Sequence, residues 1–353
     1  MTPTLCRPKD VEVIAPNFKR RLSGVTATIV RLLPLQARDI GIAAVGPGLP
    51  DHVPHMSLWQ LLVLDRKRRR VWHARRNSEM LTGLALRSLL RKRFKLLFTS
   101  ASQRTHTGYT KWLIGRMDRI VATSRKTAEY LDRPADVVLH GIDPDRFAPT
   151  DDKAGLRRAL GLPAQGMLVG CYGRIRHQKG TDLFVDAMMD ILAGHDDTTA
   201  LVMGRATSEH ETFLARLQAR VAEAGLSDRI LFLPEVGVHD MADWYRVLDL
   251  YVAPQRWEGF GLTPLEAMAC AVPVVATDVG AFSELVVPGR TGEIIAADDV
   301  GAMSAAIRGY LEGAPGTRDH GQAARQHVLD RFRLTQEAER LIAIYRELLA
   351  EVS

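Results

Sequence analysis

Glu258 and Glu266 enclose Gly259-Phe260-Gly261-Leu262-Thr263-Pro264-Leu265, and no other stretch of the chain sets acids, flexible backbone and a helix start so close together. Gly259 and Gly261 would let the backbone approach a ligand without a Cβ in the way, and Thr263-Pro264 reads as an N-cap followed by proline in the first helical position. A helix start presents unpaired amides and the positive end of the helix dipole, which suits an anion such as phosphate. Carboxylates flanking such a cradle would repel the phosphate. They can instead accept hydrogen bonds from hydroxyls on either side of it, as a sugar nucleotide would offer. The competing reading is a capping box, Thr263-x-x-Glu266, in which Glu266 returns to the N-cap amide.

A second cluster, Gly173-Arg174-Ile175-Arg176-His177-Gln178-Lys179-Gly180, follows the apolar run 167–172. Arginine offers a planar fork and lysine a mobile point charge, so Arg174 and Lys179 could grip a diphosphate and stabilise its departure. Solvated loop cations are the ordinary alternative. His73 lies near the end of the run 71–74; it is either a packed bystander or a polar group near a reacting hydroxyl, since a neutral imidazole both donates and accepts. Arg20-Arg21-Leu22-Ser23-Gly24-Val25 could form a glycine turn opening a helix.

These residues need elements to hold them. Short apolar runs at 11–15, 41–45, 71–74, 96–100, 120–124 and 137–142 alternate with amphipathic stretches, and a second series follows at 167–172, 200–204, 230–234, 250–254, 274–277 and 292–296. That alternation predicts an α/β protein with two doubly wound parallel sheets, in which ligands gather at the strand carboxyl ends. With 353 residues and 46% apolar content the chain can bury two cores. Proline and acids at 145–152 place the expected boundary so that 1–148 forms the first domain and 149–330 the second. The segment 331–353 is expected to be helical, with Leu341, Ile344, Tyr345 and Leu348 in register, and able to return to the first domain.

Charge is divided unevenly. Of the 47 Lys+Arg and 41 Asp+Glu, residues 1–148 hold 27 and 12, leaving 20 and 29, so the two parts carry +15 and −9. The first part should therefore meet something anionic: a membrane surface, an acidic acceptor or nucleic acid. Residues 81–97 read as one amphipathic helix with Leu84, Leu89, Leu90 and Phe94 beside Arg87, Arg91, Lys92, Arg93 and Lys95, and Arg66–Arg70 adds five consecutive basic residues. Such a stretch suits anionic lipid, or else is a solvated basic face. Nucleic acid is disfavoured by 6% aromatic content and the lack of a binding motif. A nicotinamide-dependent oxidoreductase would share the sheets, but Gly46-Pro47-Gly48 lacks the third glycine and the acidic partner. Three cysteines without C-x-x-C spacing argue against a disulfide framework or zinc site, and neither a signal peptide nor a membrane span is visible, so the expectation is a cytosolic chain without a metal.

Taken together, these motifs resemble the retaining nucleotide-sugar glycosyltransferases of family 4. The resemblance covers nearly the whole chain: the glutamate pair with Ala267-Met268-Ala269-Cys270 after it, Gly173-Arg174 with Lys179-Gly180, and His140-Gly141-Ile142-Asp143 before Phe147-Ala148-Pro149. It implies the GT-B architecture of two facing Rossmann-like domains with an interdomain cleft, and no metal. It further implies that Arg174 and Lys179 hold the donor diphosphate, Glu266 the ribose hydroxyls and Glu258 those of the transferred sugar. Gly173, Phe260, Gly261, Leu262 and Thr263 would add contacts, Val236 would lie near the base, His73 on the acceptor side, and Gly24 in the first-domain glycine loop. Ser23-Gly24 departs from the paired glycines of many members. Residues 71–80 and 98–101 are similar to bacterial mannosyltransferases of the lipopolysaccharide core. That similarity implies GDP-mannose as donor, a lipid-linked saccharide as acceptor, and a place on the cytoplasmic face of the inner membrane. Donors carrying UDP are the alternative.

Overall fold

The computed structural model describes residues 6–19 and 24–351. It divides into two compact units, Met1–His140 with Leu334–Ser353, and Gly141–Arg333.

In the first unit, β1 (Val13–Pro16), β2 (Ile42–Val45), β3 (His55–Met56), β4 (Arg70–Ala74), β5 (Phe94–Ser100), β6 (Arg119–Ala122) and β7 (Asp136–Val137) pair in the order β3-β2-β1-β4-β5-β6-β7. All the pairings are parallel. The central strands are apolar on both sides because helices cover both faces, as parallel sheets require. On one face lie α1 (Gly24–Gln36) and the C-terminal helix Leu334–Ala350, whose Leu341, Ile344, Tyr345 and Leu348 enter the core with Val13 and Leu33. On the other lie α2 (Leu58–Val63), α3 (Asn77–Ser88) and α4 (Gly108–Ile114), which bury Leu61, Met80, Leu84 and Leu113 against Ile14, Trp72 and Leu96. A short α5 (Arg125–Glu129) follows β6.

The second unit begins with α6 (Lys153–Ala159). Its sheet is β8 (Met167–Tyr172), β9 (Thr198–Met203), β10 (Ile230–Leu233), β11 (Leu250–Ala253), β12 (Val274–Thr277) and β13 (Gly292–Ile295), in the order β10-β9-β8-β11-β12-β13. These pairings are parallel as well. The intervening helices are α7 (Thr181–Leu192), α8 (Glu211–Glu223), α9 (Met241–Arg246), α10 (Thr263–Ala269), α11 (Phe282–Leu285), α12 (Val300–Leu311) and α13 (Thr317–Arg331). Strand order reverses between β8 and β11. Loops leaving two neighbouring strands in opposite directions open a crevice at their carboxyl ends, where this fold class binds ligands.

The units divide eight residues before the boundary expected at 148/149. Within 145–152 the acids and Pro149 are exposed, but the middle of the stretch is anchored. Arg246 donates to the carbonyls of Arg146 (2.8 Å) and Ala148 (2.6 Å), and Phe147 meets Tyr245 edge-on at 6.0 Å, so this stretch packs within the second unit. Nor is 81–97 one helix: α3 stops at Ser88, Arg91 takes a left-handed φ of 51°, and the chain re-emerges as β5. The run of five basic residues also splits by role. Arg70 is buried as the first residue of β4 and donates to the carbonyls of Val11, Asp65 and Pro8; Arg69 reaches that of Leu349; and Arg68 approaches Glu12 at 4.0 Å. Arg66 and Lys67 are left exposed.

Candidate active site

Both motifs expected to hold a donor lie at the reversal point of the second sheet. Gly173–Gly180 leaves β8, and residues 254–262 leave the adjacent β11. Their side chains meet: the Lys179 ammonium pairs with the Glu258 carboxylate, whose other oxygen accepts from the Gly259 N–H at 3.0 Å. Local backbone sets this up. Lys179 ends a short 3-10 turn, and Gly180 follows with φ 68°, its Cα so close to the Pro254 carbonyl that a Cβ would stand 1.8 Å from the oxygen. No side chain fits there, so the two loops can approach only through glycine. At Gly261, φ is 84° and a Cβ would strike the Phe282 ring at 2.3 Å and Glu258 Cγ at 2.9 Å.

Arg174 is exposed and makes no hydrogen bond or ion pair with any described residue, while sharing a pocket with Gly173, Lys179, Thr181 and Gln255. An unpartnered guanidinium beside an already paired lysine is suited to an anionic ligand. Phe260 is buried, whereas Gly261, Leu262 and Thr263 are half-buried, and their three amides have no described acceptor. The helix start differs from expectation by one residue. Leu262 is already in the helical region (φ −82°, ψ −21°), so Thr263 is the first helical residue and not the N-cap, and no side chain caps α10. A Thr263-x-x-Glu266 capping box is thereby excluded.

Glu266 has another partner. The Tyr245 hydroxyl donates to its Oε2 at 2.8 Å. Burial pushes the Tyr245 hydroxyl well above the ordinary phenol range and the Glu266 carboxylate adds to this, so it remains a donor. Tyr245, Tyr172 and Tyr251 pack ring against ring with centroids 5.2 to 5.8 Å apart, and the Tyr251 hydroxyl donates to the Tyr172 carbonyl at 3.1 Å. Tyr172 immediately precedes Gly173. This wholly buried trio therefore ties the support of Glu266 to the base of the cationic loop. Cys171 and Cys270 are inert thiols, pushed up to about 12 by burial.

Three residues of this site were not singled out from sequence. Tyr245 orients Glu266. Gln255 is buried and lines the pocket with a side-chain oxygen that has no described partner. Arg256 staples the cationic loop from the β11 side: it pairs with Asp182 through two bonds (2.7 and 2.9 Å) and with Asp298 (2.5 Å). It also donates to the His177 carbonyl (2.6 Å), and its own N–H to that of Gln178 (3.0 Å). Nothing in the spacing of Arg256 separates it from an ordinary surface arginine; its two acids lie 74 residues before and 42 after it. Arg256→Met is expected to weaken donor binding about tenfold, or roughly 1.4 kcal/mol, by releasing that loop. Calorimetric titration checks this, and an unchanged affinity would leave the staple without influence on the donor.

Val236 is half-buried after β10, the edge strand of this sheet, and does not line the pocket. In the first unit His73 lies near the end of β4, as expected, and its ring is closed in: Nδ1 meets the Tyr345 hydroxyl at 2.7 Å and Nε2 the Thr99 hydroxyl at 2.6 Å. Burial first, and then Arg75, lowers its pKa well below the usual imidazole value, so it is neutral. Gly24 is the exposed first residue of α1, with open space where a Cβ would stand; residues 20–23 of the expected glycine turn lie outside the described residues. Among the described residues no three His, Cys, Asp or Glu side chains are grouped to hold a metal ion.

Comparison with known proteins identifies the family. Residues 152–327 match the family model of glycosyl transferases group 1. The lipopolysaccharide core biosynthesis mannosyltransferase LpsB of Rhizobium meliloti is 55% identical over 350 residues, 97% of this chain and 99% of its own. LpcC of Rhizobium leguminosarum bv. viciae, described in the same words, is 54% identical over 97% of this chain and 98% of its own. The crystal structure of Anabaena HepE in complex with UDP is 18% identical and superposes with a TM-score of 0.84 over 96% of this chain and all of that one, which shows the shared fold. With two Rossmann-like sheets of GT-B type and relatives more than half identical along nearly its full length, the chain belongs to the group 1 glycosyl transferases.

Proposed function

We propose that this protein transfers mannose from GDP-mannose to a lipid-linked saccharide of the lipopolysaccharide core, retaining the anomeric configuration. The observation that carries this reading is the Lys179–Glu258 pair at the reversal point of the second sheet, with unpartnered Arg174 beside it. Mannose and the lipopolysaccharide core come from the activity named for LpsB and LpcC; the guanine nucleotide comes from the resemblance of residues 71–80 and 98–101 to core mannosyltransferases.

On this reading the donor diphosphate takes up the cations of Lys179 and Arg174 and the amides of Gly261, Leu262 and Thr263. Glu258, released from Lys179, accepts from the mannose hydroxyls, and Glu266, oriented by Tyr245, from the ribose. Val236 lies towards the base. The bond from the anomeric carbon to the phosphate oxygen breaks while the acceptor oxygen bonds on the same face, and the acceptor proton passes to the departing phosphate. A cation held in place beforehand, as Lys179 is, lowers the barrier because it needs no reorganisation as charge develops on the leaving group. Gly24 and His73 would serve the acceptor side, with His73 acting through Thr99. No described helix is long and apolar enough to cross a membrane. The resemblance to core mannosyltransferases is what suggests that a lipid-linked acceptor is met at the cytoplasmic face of the inner membrane.

Calorimetry against GDP-mannose, UDP-glucose, UDP-galactose and UDP-N-acetylglucosamine tests the donor. GDP-mannose is expected to bind at least about tenfold more tightly than the others, a difference of roughly 1.4 kcal/mol. Tighter binding of any UDP-sugar would overturn the assignment.

A further inference from the structure

Twelve large apolar side chains are exposed among the described residues, and eight of them lie on a single layer: α2, α3 with the turn after it, and α4. These are the helices that bury their inner sides on one face of the first sheet. The densest part is α2, where Leu58, Trp59, Leu62 and Val63 are 52%, 79%, 50% and 76% exposed and only Leu61 is buried. Leu89, 80% exposed, stands in the turn after α3. The two are locked together: Lys92 is buried and its ammonium donates to the carbonyls of Leu62 (2.8 Å) and Leu64, while the Arg93 N–H donates to the carbonyl of Arg66 at 3.3 Å.

Cations border this apolar surface. Arg66, Lys67, Arg91 and Arg93 are exposed, and the side chains of Arg66, Lys67 and Arg91 have no described partner. A protruding tryptophan among leucines, edged by unpaired basic residues, is the pattern of a surface that rests in the headgroup region of an anionic bilayer. A second copy of the chain would set the same cations against one another and fits less well. Leu81, Tyr109 and Trp112 extend the exposed apolar character along α3 and α4.

We infer that the outer side of α2, with the turn at Leu89, is the seat of an anionic lipid surface: Trp59 and Leu62 enter the interface, and Arg66, Lys67 and Arg91 meet lipid phosphates. This rests on the reading that the acceptor is lipid-linked and specifies where the protein sits to reach it. It also replaces the single amphipathic helix expected over 81–97, which does not form.

Flotation of the full chain with vesicles of phosphatidylcholine, with and without phosphatidylglycerol, tests the inference. Wild type is expected to float with the anionic vesicles, less so as salt rises, and not with the neutral ones. The double variant Trp59→Ser with Leu62→Ser, which changes only exposed side chains, should lose about tenfold or more of that partitioning; Arg66→Glu with Arg91→Glu should abolish its salt sensitivity. Undiminished flotation of the first variant would overturn the proposal, as would equal binding to neutral vesicles. A dimer on size exclusion that the same variant dissolves would also overturn it, giving the surface to a second copy. GDP-mannose binding is measured on the same samples: its absence in the wild type would remove the donor reading and leave the flotation result standing, and it should be unchanged in both variants.

Discussion

Lys179→Ala is expected to lower turnover by about two to three orders of magnitude, or roughly 2.7 to 4 kcal/mol, the loss that follows removal of one preorganised group stabilising a developing anion. So large an effect is expected of one side chain because that side chain is already in place. Lys179 is held at the end of a 3-10 turn by Gly180 and by the Arg256 staple, and its ammonium already lies against Glu258. A cation fixed before the donor arrives loses little freedom when the donor binds. Arg174, being exposed and unpartnered, cannot replace it, since its position would have to be organised at the moment of reaction. The fold should survive, because Glu258 is not wholly buried and keeps the Gly259 N–H. The checks are steady-state turnover of the purified variant alongside its thermal unfolding. Wild-type turnover in a folded variant would remove Lys179 from the chemistry.

Glu266→Ala should weaken nucleotide-sugar binding by about 1.5 to 3 kcal/mol, the range of hydrogen bonds to a charged group. Glu266 sits on α10 and accepts from the Tyr245 hydroxyl at its Oε2, which orients the carboxylate. The variant also leaves the buried Tyr245 hydroxyl without this acceptor, so some loss of stability is expected with it. Comparison with Tyr245→Phe separates the effects. If Glu266 touches the donor, its alanine variant loses affinity well beyond the phenylalanine variant; if its task is to satisfy Tyr245, the two variants bind donor alike. Titration calorimetry with the donor and with the bare nucleoside diphosphate provides the measurement.

Much of this was legible in the chain itself. Alternating apolar runs marked every central strand, because strands buried on both sides must be apolar along their whole length. The short edge strands escaped: β3 spans only His55–Met56, and residues 137–142 yield just the last residue of β7 before the chain turns away. The helix expected over 81–97 failed for a related reason. A continuous period of leucine and basic residues does not record where the backbone must turn to enter a sheet, and Arg91 at positive φ makes that turn.

The sequence alone determined which chemistry was available: two carboxylates around a glycine-rich turn, and a cationic loop between glycines after an apolar strand. It could not decide who meets whom. Lys179 and Glu258 are 79 positions apart, Tyr245 and Glu266 are 21, and His73 and Tyr345 are 272. The first follows from strand order, since the reversal between β8 and β11 brings one strand's loop against the other's; the second follows from the packing of α9 and α10, and the third from the C-terminal helix, which carries Tyr345 back to β4. Strand order is a property of the packed sheet, set by which apolar faces can be buried together, and no local pattern encodes it.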